Sequence, residues 1–453
     1  MLSAALFALF AVGCTVLGFV RHPIYAFYFY LSTIYVFPPG RWWGYIFGDI
    51  RWALLAAAVT VLAVVVGRNK LAPKPPWISS VPALVMTLYA TWMWIQLPWA
   101  LDTAVHLDAS IQFVKYIVAF WFVYRIADSK EHVRDVLFAH MLGCAFLGLL
   151  AYSVGRTDGR LDGVGGPGMD DSNTLGMYLA TGALTALGLL LTQNGWRRWV
   201  TLGAGALIMN GLVLTNTRGA FLGLVGGALL FAVYKARAHR RLFWGVALVS
   251  LLGLAVIADR TFIERMASIS ESTVDSEDVD QSARSRVFII SAQWQMFFQY
   301  PMGIGHRGTA VLSPLYLDDR WLTGSEGDRA RSSHNTFMTA LVEQGIPGGL
   351  MFIWLSLWTV YALFRLRSLQ AKHGDADLTT LAATAGAVLG SVFIAGNTAD
   401  FLMAEVQFWV FAVFVTLLQL GQHAVANPGP RKAFGHGARP TAMADGPSQV
   451  ISR

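Results

Sequence analysis

Arg331-Ser-Ser-His334-Asn335 sets an arginine and a histidine where a long polar stretch meets a long apolar run. Ionisable side chains are costly to hold at such a boundary, so they call for a chemical reason. Ser332 or Ser333 is expected to cap a helix beginning near Asn335. That would hold the imidazole at the positive end of a helix dipole, where the neutral, proton-accepting form is favoured. Two readings follow: a general base that takes a proton from a hydroxyl, or an interfacial histidine that only hydrogen-bonds its loop. Arg218, in Thr217-Arg218-Gly219, precedes Gly219, Gly223 and Gly227 at four-residue spacing, a small-residue face suited to close helix packing. It either snorkels to an interface or grips an anion. Arg284 and Arg286 follow an acidic stretch from Glu271 to Asp280, so they are anion ligands or ordinary salt-bridge partners, and Arg265 poses the same choice. Asp170, Asp171 and Asn173 close a glycine-rich segment, where they can cap a helix, bind a sugar hydroxyl or coordinate a cation, with capping the default.

Other chemistry is missing its signatures. The glycine-rich segment lacks the Gly-Lys-Ser/Thr ending of a phosphate-binding loop, and neither a Gly-x-Ser-x-Gly elbow nor a zinc motif occurs. Cys14 and Cys144 lie inside apolar segments, without disulfide or metal-ligand spacing, and no cofactor or metal is expected.

The elements that must position these residues are membrane helices. Hydrophobic residues make up 55% of the 453, charged residues 13%, and mean hydropathy is +0.50. A soluble domain carries roughly 25% charged residues, so the composition predicts an all-α, polytopic membrane protein. Apolar runs fall at about 1–20, 24–37, 53–67, 81–99, 112–126, 136–154, 174–192, 200–215, 219–234, 242–258, 346–364, 380–395 and 407–421, which predicts about 12–13 spanning helices. The first is read as a retained anchor, because the lipoprotein-like Ala11-Val-Gly-Cys14 has no basic segment before it. Residues 1–422 form one integral membrane domain containing a large loop at 259–333. That loop holds an amphipathic run near 283–299, closed by a turn at Pro301-Met-Gly303-Ile-Gly305. The tail, 423–453, reads as disordered and cytoplasmic.

The net charge of +7 is informative through its distribution, which calls for no nucleic acid. Basic clusters at 68–74, 125–134, 197–198, 235–241 and 365–372 occupy every second connection, so the positive-inside rule puts them in the cytoplasm and loop 259–333 outside. On that outer side Lys115 is the one lysine expected, whereas arginine recurs, as suits a site for a phosphorylated ligand.

Taken together, these residues resemble the O-antigen ligase and polymerase superfamily of bacterial inner-membrane proteins. The resemblance rests on His334-Asn335 followed by Glu343-x-Gly345, on Thr217-Arg218-Gly219, on Arg286 fifteen residues before Pro301-x-Gly-x-Gly305, and on Asp171-x-Asn173 opening a helix; it covers roughly residues 160–365. Where family members commonly carry a tryptophan four residues after the loop arginine, this chain has Ile290, with Trp294 a turn later. The resemblance implies metal-independent, inverting glycosyl transfer from an undecaprenyl-diphosphate-linked glycan donor at the periplasmic face. His334 would activate the acceptor hydroxyl, and Arg218 and Arg286 would hold the diphosphate. Asp171, Asn173, Arg265, Arg284 and Asn335 are further candidates for substrate binding. Lipid A core, protein or another glycan are candidate acceptors, the last making the enzyme a polymerase of lipid-linked repeat units. A transporter of lipid-linked glycan is the non-enzymatic alternative, although it would place ionisable residues at mid-membrane depth.

Overall fold

The computed structural model describes residues 1–426 except 157–160, 162, 236, 272–280 and 323–328, and except the side chains of residues 265, 268–271, 281–284, 372 and 373. Among the described residues there are seventeen α-helices and no strand. They are α1 (Leu2–Val20), α2 (Ile24–Val36), α3 (Trp52–Val66), α4 (Val81–Gln96), α5 (Thr103–Ile126), α6 (Lys130–Val154), α7 (Ser172–Thr192), α8 (Trp196–Thr215) and α9 (Arg218–Tyr234). The remainder are α10 (Arg240–Ile257), α11 (Arg260–Glu271), α12 (Gln281–Gln299), α13 (Gly308–Tyr316), α14 (Thr336–Glu343), α15 (Gly345–His373), α16 (Ala376–Ala395) and α17 (Glu405–Ala426).

Each expected apolar run falls on one of these helices, although the run at 81–99 outlasts α4, which ends at Gln96. Nine of the helices among the described residues are long and apolar enough to cross a membrane, while α2, α3, α4 and α9 are shorter. The polytopic all-α expectation is therefore met. Several of the apolar helices leave much of their surface exposed. In α10, Phe243 is buried but Leu248, Val249, Leu251, Leu252 and Val256 are exposed, as expected where lipid replaces water. At the centre, α7 and α16 are buried along most of their length. The tail boundary differs slightly: α17 continues to Ala426, and the expected disordered stretch beyond it lies outside the described residues.

Alternate connections collect at opposite ends of the bundle. At the basic end, Lys130 Nζ lies 2.7 Å from Asp375, Arg134 pairs with Asp377, and Arg197 pairs with Asp135. Half-exposed bridges of this kind contribute at most about 1 kcal/mol each, so they fix register more than they stabilise. At the other end lie the segments holding Arg218, His334 and the long loop. That loop is helical, as anticipated near 283–299, and it builds its own small core: Ala292, Met296, Ile304, Leu312, Met338 and Val342 pack α12, α13 and α14 together. This second apolar layer gives the polar end a rigid surface.

Candidate active site

His334 sits in a turn held by hydrogen bonds of the residues beside it. Asn335, immediately after it, is the N-cap of α14, and its Oδ1 accepts from the amides of Phe337 at 2.9 Å and Met338 at 3.1 Å. The expected serine cap is thus corrected. Ser333 Oγ is committed elsewhere: it donates to Asn335 O and accepts from Gln293 Nε2 of α12 at 2.8 Å, while the preferred amide cap takes over the helix start. One residue further on, Thr336 N–H donates to Gly396 O at 2.7 Å. Its hydroxyl donates to Ala399 O at 3.0 Å and accepts from Phe401 N at 2.8 Å. The histidine turn is therefore fastened to α12 on one side and to the α16–α17 connection on the other.

Arg218 reaches the same connection by a different route. It is the first residue of α9, after Asn216 ends α8 in the left-handed conformation at φ +52°. Thr217 Oγ1 donates to Ser172 O at 3.0 Å, which ties this turn to the start of α7. The glycine face then packs on α16 as its spacing predicts. A Cβ on Gly219 would lie 2.0 Å from Thr398 Oγ1, one on Gly223 2.7 Å from Ser391 O, and one on Gly227 2.7 Å from Ala387 O. Arg218 is half-buried rather than splayed into solvent, and it adjoins the connection that anchors His334.

The other expected residues fall into three groups. Asp171 caps α7, accepting from Asn173 N at 2.9 Å and Thr174 N at 3.1 Å, so the default reading describes its contacts; Asn173 is half-buried in the first turn. Arg286 lies on α12, half-buried, two turns before the Gln293 that binds Ser333. Arg265 and Arg284 belong to α11 and α12, and their side chains lie outside the described set. Arg331, three residues before His334, has its Nε buried with no hydrogen-bond partner among the described residues, and burial lowers its pKa.

The two glycine motifs interlock. Gly305 N–H donates to Glu343 O at 2.9 Å, and Ile346 N–H donates to Pro301 O at 2.8 Å. Gly303 and Gly345 both adopt positive φ, and a Cβ on Gly345 would lie 2.5 Å from Gly303 N. The Glu343 carboxylate, buried, accepts from Arg307 N at 2.8 Å and lies 3.5 Å from His306 Nδ1.

Sequence reasoning missed His306 and its neighbours. Its backbone N–H donates to His106 Nδ1 at 2.8 Å, and His106 Nε2 is 2.8 Å from Met93 O, a pattern that fits the Nε2–H tautomer of His106. Burial pulls the His306 imidazole down, but the Glu343 and Asp400 carboxylates outweigh it and raise its pKa. Asp400, in the α16–α17 connection, is pushed up to about 7 by burial and by the Glu343 charge. The available signal was weak: His306 directly follows the Gly-x-Gly turn, and Asp400 interrupts a long apolar stretch.

A cavity of about 710 Å³ lies between α1, α2 and α6, lined almost wholly by apolar and aromatic side chains. Its link to this end of the molecule is Arg41, whose Nη1 donates to Val164 O at 3.1 Å in the glycine-rich segment before α7. Its surface is mostly apolar, with Arg41, Asp135 and Arg197 as the charged residues of its lining.

The comparison with known families bears on this end of the molecule. Residues 203–353, about a third of the chain, match the family model described as O-Antigen ligase; no curated protein matches the sequence. The matched interval includes Arg218, Arg286, His334 and both interlocked glycine motifs, and it ends before Asp400. Over residues 203–353 this membrane bundle is similar to the O-antigen ligase family, a similarity that supports ligase- or polymerase-type transfer of a lipid-linked glycan.

Proposed function

We propose that the protein transfers a glycan from an undecaprenyl-diphosphate carrier to an acceptor hydroxyl, with His334 as general base and Arg218 and Arg286 as ligands of the diphosphate. The observation that carries this reading is convergence on one connection. Thr336, two residues after His334, bonds Gly396 and Ala399, and Gly219, next to Arg218, packs on Thr398. His334 accepts the acceptor proton as the acceptor oxygen bonds to the anomeric carbon. The anomeric C–O bond to the diphosphate breaks, and the leaving group departs with the electron pair. Fixed guanidinium groups offset the charge that develops there without reorganising at the moment of reaction. Attack opposite the leaving group inverts the anomeric centre, so an α-linked donor gives a β linkage. The basic end faces the cytoplasm and the His334 end the periplasm, as the positive-inside rule requires.

The test is transfer by the full-length protein in lipid nanodiscs from polyprenyl-diphosphate-linked glycan to lipid A core, protein or lipid-linked repeat units, each offered separately. His334→Ala should lose transfer, by at least 100-fold, while still binding donor. Arg218→Ala should lose donor use. Unchanged transfer by His334→Ala removes the catalytic assignment, and transfer to lipid-linked repeat units alone makes the enzyme a polymerase.

A further inference from the structure

The basic end of the bundle carries a cluster that glycosyl transfer does not use. His22, in the turn between α1 and α2, stacks on His132, in the first turn of α6, with ring centroids 4.2 Å apart and 26° between planes. Asp128, in the α5–α6 turn, places Oδ1 2.6 Å from His132 Nδ1, and its Oδ2 accepts from Ala72 N at 2.9 Å. One ligand-capable atom from each of the three residues lies within 4.8 Å of the others. His22 Nδ1 is 3.3 Å from the donating Ile24 N, and His22 Nε2 is buried with no hydrogen-bond partner among the described residues.

That orphaned nitrogen is costly, because a buried polar atom without a partner gives up its hydration with nothing in exchange. The two nearby lysines donate to backbone carbonyls. Lys70 Nζ is committed to the carbonyls of Phe19 and Val20, and Lys74 Nζ to those of Tyr124 and Ala127. Two imidazoles and one carboxylate suit zinc-class transition metals rather than magnesium or calcium, which prefer all-oxygen sets. Ligand atoms around tetrahedral zinc are about 3.3 Å apart, so closing the cluster on an ion requires the side chains to draw together and the stacked rings to turn their lone pairs toward it.

We propose that His22, Asp128 and His132 bind one divalent transition-metal ion that clips the α1–α2 hairpin to the α5–α6 turn. Asp128 and His132 come from the α5–α6 turn and the first turn of α6, His22 from the turn between α1 and α2, and each is only partly buried, which leaves a fourth position for water. The clip also holds one end of the apolar cavity, since Asp135, three residues after His132, lines it. Its role is structural, and its failure leaves the His334 reading untouched.

The test uses tag-free, full-length protein in nanodiscs, stripped with EDTA and titrated with Zn²⁺ or Co²⁺. One equivalent should bind, Co²⁺ should give visible d–d absorption, and the thermal midpoint should rise on zinc addition. His22→Gln and His132→Gln should each weaken zinc affinity at least 10-fold, and Asp128→Asn should weaken it less. His22→Gln keeps size and polarity, so its metal-free midpoint should match that of the stripped parent, and its transfer rate at 25 °C should be unchanged. Absence of stoichiometric binding overturns the proposal, as does parental zinc affinity in both histidine variants.

Discussion

Replacing Gly219 with alanine tests how Arg218 is held. The added Cβ would lie 2.0 Å from Thr398 Oγ1 and 3.2 Å from Thr398 Cβ, against ordinary contact of 3.4–4 Å. Overpacking of this kind costs about 1–3 kcal/mol, and its relief by α9 moving away from the α16–α17 connection carries Arg218 with it. The obstruction is one hydroxyl. Thr398→Ala removes it, at the expense of the 2.8 Å bond to Ala395 O, a loss of about 1 kcal/mol. The double variant retains only the 3.2 Å contact, so the two substitutions should couple favourably by about 1–2 kcal/mol. Chemical or thermal unfolding of the four proteins of the cycle measures the coupling, and the donor KM reports on Arg218. Gly219→Ala should raise that KM, and Thr398→Ala should largely restore it. Gly223→Ala is the control: its Cβ meets the Ser391 backbone carbonyl at 2.7 Å, which no side-chain truncation removes, so Ser391→Ala should not rescue it. Additivity of Gly219→Ala and Thr398→Ala within about 0.5 kcal/mol would refute the packing argument.

Three further outcomes are expected. Asn335→Ala should cost about 1 kcal/mol of stability and slow transfer by freeing the His334 turn, whereas Asn335→Asp should keep the cap; equal rates in the two variants would detach the cap from activity. The raised pKa values of His306 and Asp400 favour protonated folded protein. Their contribution is therefore present at low pH and is lost as pH rises from about 4 through 7 for Asp400, and from about 6.5 upward for His306. Unfolding midpoints should fall between pH 5 and pH 8, and Asp400→Asn should flatten that slope; an unchanged slope would place the titration elsewhere. Finally, transfer at 25 °C should survive EDTA. If added Mn²⁺ or Mg²⁺ proved necessary, Asp170 and Asp171 would have to act as ligands rather than at a helix start.

Much of the fold was legible because its signals are local. A run of apolar residues predicts a helix without reference to any partner, and each of the thirteen runs falls on one. The Gly219, Gly223 and Gly227 face was equally readable, since four-residue spacing is a property of one helix, though its partner, α16, was not. The serine cap before α14 failed because capping was judged from local preference, while Ser333 is recruited by Gln293, forty residues earlier. Arg218, Arg286 and His334 were found by type and by resemblance. His306, His106 and Asp400 were missed because each is an isolated polar residue whose meaning depends on a distant neighbour.

The division follows from the range of the forces involved. The sequence alone determined a helical membrane protein, alternating basic connections, and a polar end bearing histidine and arginine, because hydropathy and charge act residue by residue. Only tertiary structure decided that Gly219 meets Thr398, that Glu343 lies beside His306, and that His22 stacks on His132 across more than a hundred intervening residues. Those contacts depend on hydrogen bonds and close packing over a few ångströms, and the folded path of the chain alone decides which residues come that near.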